Sequence, residues 1–152
     1  MELQIRRMRE SDADILFRLL SDPKVMRCLE PPFDRARAAD FLRVAGLSEP
    51  PLIYAAEEDG AFLGYVIFHR YGGEDAAELG WVLRRSAWGR GYAGRLTALL
   101  LSAAEGKWAE AVIECAPQQR ASARVAERLG FREEGMADGC RVFRRTVPRD
   151  GK

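Results

Sequence analysis

The stretch "ELGWVLRRSAWGRGYAGRLT", Glu78 to Thr97, decides the fold. It reads as a strand, a glycine turn and the start of a helix. "AAELGWVL" before it is apolar enough for a buried strand. Leu96, Leu99, Leu100 and Ala103 after it follow the spacing of one helical face. Gly89, Gly91 and Gly94 spell G-x-G-x-x-G, the fingerprint of a phosphate-binding turn. A helix opening directly after glycines presents unpaired N–H groups and the positive end of its dipole. Arg84, Arg85, Arg90 and Arg95 add local positive charge to the same stretch.

Working downstream, Gly106 stops the helix and "AVIECA" (Ala111–Ala116) is a short, mostly apolar strand. Strand, turn, helix and strand form a βαβ crossover, so the two strands should be parallel. Pro117 ends the second strand. A helix then spans about Gln118 to Leu129, with Ala121, Val125 and Leu129 inward and Gly130 at its stop. "FREEG" and "RVFRRTV" read as a closing hairpin.

Working upstream, "PLIYAAEE" and "AFLGYVIFHR" flank Asp59-Gly60, a hairpin-turn dipeptide. They precede the Glu78 strand as antiparallel neighbours. The N-terminal part holds a strand at Leu3–Met8 and a helix with Ile15, Leu16, Leu19 and Leu20 on one face. Ser11 and Asp14 are placed as a capping box for that helix. Pro23 breaks it, and Val25–Leu29 forms another turn. A second helix runs from about Arg35 to Ala45, with Phe41, Leu42 and Ala45 inward. The order is β-α-α-β-β-β-α-β-α-β-β. This is one α/β domain spanning 1–152, with a mixed, mostly antiparallel sheet flanked by about four helices.

Composition excludes several classes. Lys and Arg number 24 and Asp and Glu 23, a net charge of +1 that gives no global grip on nucleic acid or an anionic membrane. No apolar run approaches the roughly 20 residues needed to span a bilayer. The N-terminus lacks a signal peptide's apolar core. Cys28, Cys115 and Cys140 are far apart, as expected of reduced thiols in a cytoplasmic protein. One histidine and scattered cysteines do not make a zinc tetrahedron, so no metal is expected.

The dinucleotide reading has one supporting residue, Glu114, placed 20 residues past Gly94 where a ribose-binding acid would fall. The intervening "RRSAW", the three preceding antiparallel strands and the short remaining chain all oppose it. The full context instead resembles the acyl-CoA-binding segment of the GNAT N-acetyltransferase superfamily. Trp88-Gly89-Arg90-Gly91-Tyr92-Ala93 stands for that family's [QR]-x-x-G-x-[GA], with Trp in place of the polar first residue. "ECAPQQRASARVAERLGFREEG" (Glu114–Gly135) resembles the N-x-x-S helix and "GF" strand of the branch that acetylates ribosomal-protein N-termini. "IRRMRESDADILFRLLSDPKVMRCLEPP" (Ile5–Pro32) fits the same branch.

The resemblance implies a GNAT fold whose two central parallel strands splay apart, and an acetyl-CoA-dependent N-acetyltransferase acting by direct attack of a primary amine. It implies that backbone groups of Trp81, Val82 and Leu83 pair with pantetheine. Arg90, Gly91, Tyr92, Ala93, Gly94 and Arg95 would take the pyrophosphate. Ser122 matches the N-x-x-S serine and is the candidate for protonating the CoA thiolate. Gln119 stands where the family has Asn. Glu78 is the candidate base, with Glu57 and Glu58 as alternatives. His69, the only histidine, sits at a strand end and can help deprotonate an amine. The acceptor site is expected in "CLEPPF" (Cys28–Phe33), the second helix and "HRYGGED" (His69–Asp75), with Glu30, His69, Glu74 and Asp75 as amine-attracting residues. Trp88 either walls the cofactor site or packs. The acceptor is a protein N-terminus or a small amine. A homodimer is compatible with family habit. A non-catalytic acyl-CoA sensor on the same fold, and an oxidoreductase, are the rival readings.

Overall fold

The computed structural model describes residues 2–148. In chain order the strands are β1 (Leu3–Arg6), β2 (Ile53–Glu58), β3 (Ala61–Arg70), β4 (Ala76–Leu83), β5 (Glu110–Cys115), β6 (Arg132–Ala137) and β7 (Cys140–Thr146). The helices are α1 (Ala13–Leu20), α2 (Pro23–Met26), α3 (Arg35–Phe41), α4 (Tyr92–Ala104) and α5 (Arg120–Arg128). The seven strands form one sheet in the order β1-β2-β3-β4-β5-β7-β6. The chain divides into two compact units: residues up to Ile67 with Trp81–Tyr92, and Phe68–Gly80 with the chain from Ala93 onward.

In the first unit, β1, β2 and β3 are antiparallel. The β2–β3 turn forms as the dipeptide predicts: Asp59 and Gly60 both take positive φ, 50° and 84°. Leu16, Leu19 and Leu20 of α1 pack with Val25, Met26, Ala38 and Leu42 in one apolar cluster. Pro23 does not simply break a helix. It occupies the first turn of α2, capped by the Asp22 carboxylate, which accepts from Lys24 N at 3.0 Å. Beyond α3 the helix widens into a π-helical turn over Leu42–Gly46.

The expected capping box at Ser11 and Asp14 is not the one formed. Asp12 instead closes a box on the 3-10 turn Glu10–Asp12 that leads into α1: its carboxylate accepts from Arg9 N at 2.7 Å and from both Arg6 Nη atoms at 2.9 Å. Arg6 Nε also donates to Glu57 at 2.7 Å. Asp12 is buried. Burial opposes its charge, but the donors from Arg6 and Arg9 outweigh it and hold its pKa below the ordinary value. Asp14 instead stays at the surface, paired with Arg18 and Arg35.

Gly64 shows how tightly β3 meets the end of β4. Its φ is +149°, and a Cβ there would lie 2.1 Å from the Val82 carbonyl oxygen and 2.8 Å from Leu83 Cα. No flexible side chain can yield. Gly64→Ala is expected to destabilise the protein by about 3 kcal/mol or more, read as a lowered midpoint in urea. An unchanged midpoint would contradict this packing.

In the second unit, β4 pairs in parallel with β5 over Ala76–Glu78 and Glu110–Val112. The ladder stops at Glu78. β5 continues to Cys115 against β7, and β6–β7 close the unit as a hairpin. Leu96, Thr97, Leu100 and Ala104 are the buried face of α4. Leu99 is 42% exposed and Ala103 is exposed, so the expected inward stripe is rotated by about one position. In α5 the buried residues are Ala123 and Ala126, while Ala121 faces out and Val125 and Leu129 are half-buried. The sheet carries five helices rather than four, the extra one being α2.

Candidate active site

The glycine turn lies in the first unit. β4 ends at Leu83 and a short 3-10 turn covers Arg85–Ala87. Gly89 (φ 71°) and Gly91 (φ 80°) then hold left-handed backbone that other residues adopt only at a cost. A Cβ at either position meets nothing within 4 Å, so their absent side chains leave backbone N–H groups open to approach. Gly94 has no positive φ and lies inside α4. The third glycine of the dinucleotide spelling is therefore an ordinary helical residue. Tyr92 opens the helix fully folded in: it is 4% exposed and its hydroxyl donates to Glu58 at the end of β2. Glu58, one of the alternative bases, is thereby an anchor for the helix start.

The arginines of this stretch divide by role. Arg85 Nε donates to Asp22 at 2.7 Å, and Arg84 Nη1 donates to the Phe62 carbonyl at 3.2 Å. Both brace a cavity of about 410 Å³ whose lining includes Leu19, Val25 and Phe62. Arg90 lies over the Tyr92 ring, 5.6 Å from its centroid, beside the glycines. The Trp88 indole N–H donates to the Leu83 carbonyl at 2.9 Å, yet half of its surface (49%) is exposed. Trp88 thus braces the turn, and the rest of its ring is exposed. Glu30 accepts from Arg37 at 2.5 Å, so its charge is already balanced at the surface.

The second unit holds the titratable groups. Glu78 and His69 come together: His69 Nε2 is 3.5 Å from Glu78 Oε1, and each side chain is 24% exposed. His69 Nδ1 lies 2.8 Å from the Arg70 carbonyl. A carbonyl only accepts, so Nδ1 carries a proton, and the ring turns Nε2 towards Glu78. Burial raises the pKa of Glu78, His69 partly opposes it, and the Glu114 charge raises it further. A half-buried carboxyl with a raised pKa beside an imidazole is equipped to take up a proton and pass it on.

Two partners of this pair were not among the residues singled out from sequence as acid–base groups. Tyr71 donates its hydroxyl to Glu114 Oε2 at 2.5 Å. That bond comes first among the causes that push the Tyr71 pKa up to about 12. The only signal for Glu114 was period-2 parity: Glu78 registers with Val112, so Glu110, Val112 and Glu114 share its face. Glu74, expected to attract an amine, instead pairs with Arg144 at 2.9 Å, and Arg144 also binds Glu110 and Glu134.

Gln119 and Ser122 follow the C-terminal end of β5. Gln119 Oε1 accepts from Ala116 N at 2.7 Å, and Gln119 N donates to the Ala116 carbonyl at 2.9 Å. The longer amide arm thus closes the loop before α5 rather than pointing away from it. Ser122 follows in the first turn of α5, half-buried.

Residues 2–132 match the family model described as acetyltransferase (GNAT) domain. The chain is 26% identical over 142 residues to YnaD of Bacillus subtilis, described as an uncharacterized N-acetyltransferase, covering 91% of this chain and 84% of the relative. Among solved structures, spermidine N-acetyltransferase from Vibrio cholerae, in complex with CoA and spermine, superposes with a TM-score of 0.80 at 15% identity, covering 95% of each chain. The ribosomal-protein α-N-acetyltransferase RimL, in complex with coenzyme A, does so with a TM-score of 0.79 at 21% identity, covering 99% of this chain and 96% of that one. The ribosomal-protein branch is thus one of several structural neighbours, and the likeness to it is one of fold.

Proposed function

This chain belongs to the GNAT acetyltransferase family and is an N-acetyltransferase, and we propose that Glu78 and Ser122 carry its chemistry on a primary amine. The observation that carries this reading is the Glu78–His69 pair on β4 and β3, a half-buried carboxyl 3.5 Å from an imidazole nitrogen. Residues 1–152 act as a single acyltransferase domain in this reading.

The acetyl-CoA pyrophosphate lies on the left-handed turn, against the backbone of Arg90–Gly94 with Arg90 and Arg95 supplying charge. Pantetheine pairs with the backbone of Trp81–Leu83; the Leu83 carbonyl is already taken by Trp88 and the Val82 carbonyl lies against Gly64, so Trp81 supplies the acceptor. The amine nitrogen attacks the thioester carbonyl directly. Its proton goes to Glu78, the C–S bond breaks, and the departing thiolate receives a proton through the Ser122 hydroxyl. No covalent enzyme intermediate forms. Gln119 supports this step indirectly, by fixing the loop that aims α5. The acceptor, a protein N-terminus or a small amine, approaches past His69. The resemblance of Ile5–Pro32 and Glu114–Gly135 to the N-terminus-acetylating branch supports the peptide acceptor.

Ser122→Ala tests the thiolate role. Turnover is expected to fall about ten- to a hundredfold, while acetyl-CoA affinity by calorimetry changes less than twofold, because the hydroxyl acts only as charge develops on sulfur. Equal turnover in the two proteins would remove Ser122 from the mechanism.

A further inference from the structure

Resting on the reading of Glu78 as the base, we propose that Tyr71 and Glu114 are positioning residues that keep Glu78 a competent proton acceptor: Tyr71 pins the Glu114 carboxylate on β5, on the face it shares with Glu78 of β4. The geometry is specific. Glu78 and Val112 are paired residues of the parallel ladder, and Glu114 lies two residues further along β5. One strand spacing across and two residues along place the two Cα atoms about 8 Å apart, on one face of the sheet. Tyr71 reaches Glu114 from the β3–β4 connection at 2.5 Å, and its backbone N donates to the Ala76 carbonyl at 2.8 Å. Its ring packs on Ala76, Val112 and Val142. The hydroxyl is therefore delivered by a side chain fixed at both ends.

The charges around Glu78 show why this pin matters. The groups acting on Glu78 are His69 on β3 and Glu114 on β5; Glu78 in turn acts on Tyr71, and around Tyr71 and Glu110 lie Glu74 in the connection and Arg144 on β7. Arg144 is the one fixed cation among them, and it is held by Glu74, Glu110 and Glu134 at 2.9, 2.9 and 3.1 Å. Glu114 is instead held by a neutral donor, which orients its charge without cancelling it. An anion kept near a half-buried carboxyl disfavours ionisation of that carboxyl and so strengthens it as a base. An arginine in place of Tyr71 would do the opposite. The pin therefore sets the pH at which Glu78 becomes available.

The chain's single histidine makes the test direct, because the His69 ring gives one resolved imidazole signal by NMR. A pH titration of that signal carries an inflection from ionisation of Glu78, and Glu78→Gln removes it. Glu114→Gln is expected to move the inflection to lower pH by about half to one unit, the size of one like charge at this separation. Tyr71→Phe is expected to move it in the same direction by less, and the double variant no further than Glu114→Gln alone. Both positions are at least partly exposed, so the fold is checked by thermal melting of each variant. An inflection at the same pH in Glu114→Gln and wild type would overturn the proposal. The titration needs no acceptor, so that failure is distinct from failure of the base assignment, which is read from turnover of Glu78→Gln.

Discussion

Gly91→Glu is expected to abolish acetyl-CoA binding, with no heat detected by calorimetry at concentrations that saturate the wild type. Two effects add. Gly91 sits at φ 80°, where a side chain costs about 1–2 kcal/mol of backbone strain. The larger effect is electrostatic: the new carboxylate projects into open space beside the backbone amides that would take the pyrophosphate. Steric failure of the fold is not the cause, because a Cβ at Gly91 meets no atom within 4 Å. The partner experiment is Gly94→Ala. Gly94 is helical and equally unobstructed, so alanine there should leave affinity within about threefold and favour the helix slightly. A G-x-G-x-x-G dinucleotide turn would depend on all three glycines. Unchanged affinity in Gly91→Glu would refute the placement of the pyrophosphate.

Glu78→Gln carries the second large effect. Glutamine keeps the size of the side chain and its place on β4 but takes no proton. General-base contributions are typically 10²–10⁴-fold, so kcat is expected to fall by about a hundredfold or more while acetyl-CoA affinity stays within twofold. The pH dependence gives the sign. Glu78 works when ionised, and burial with the neighbouring Glu114 raises its pKa. The wild-type rate should therefore climb with pH through a limb above the ordinary carboxylate range, and that limb should vanish in Glu78→Gln. Full activity in the variant would return the base role to solvent or to His69 alone.

The architecture was legible in the sequence because its signals are local. Asp59-Gly60 dictates a turn, Pro117 ends a strand, and a glycine turn between an apolar strand and an amphipathic helix implies a parallel crossover. Helix faces were less legible. Leu99 and Ala121 satisfy a helical period as well as Thr97 and Ala123 do, and period alone does not say which of two adjacent stripes meets the sheet. The cap of α1 was misplaced for a similar reason. Ser11 and Asp12 are about equal capping residues in isolation, but Asp12 gains two hydrogen bonds from Arg6, a contact that propensity does not see.

The candidate site was legible in part. Glu78 and His69 were both singled out, and their pairing at 3.5 Å follows from the short β3–β4 connection. Tyr71 and Glu114 were invisible as partners because 43 residues separate them and only the parallel register of β4 and β5 brings them together. Glu30 and Glu74 looked equally suited to attract an amine, yet Arg37 and Arg144 occupy them. Among so many arginines, sequence does not say which carboxylate is already paired.

The most direct test of the central claim is one assay: acetyl-CoA with a panel of primary amines and short peptides, scored for released CoA thiol and for acetylated amine by mass spectrometry. The account predicts thiol and amide in equal amounts with at least one acceptor, and loss of both in Glu78→Gln. Acetyl-CoA that binds but is never turned over across the panel would contradict it.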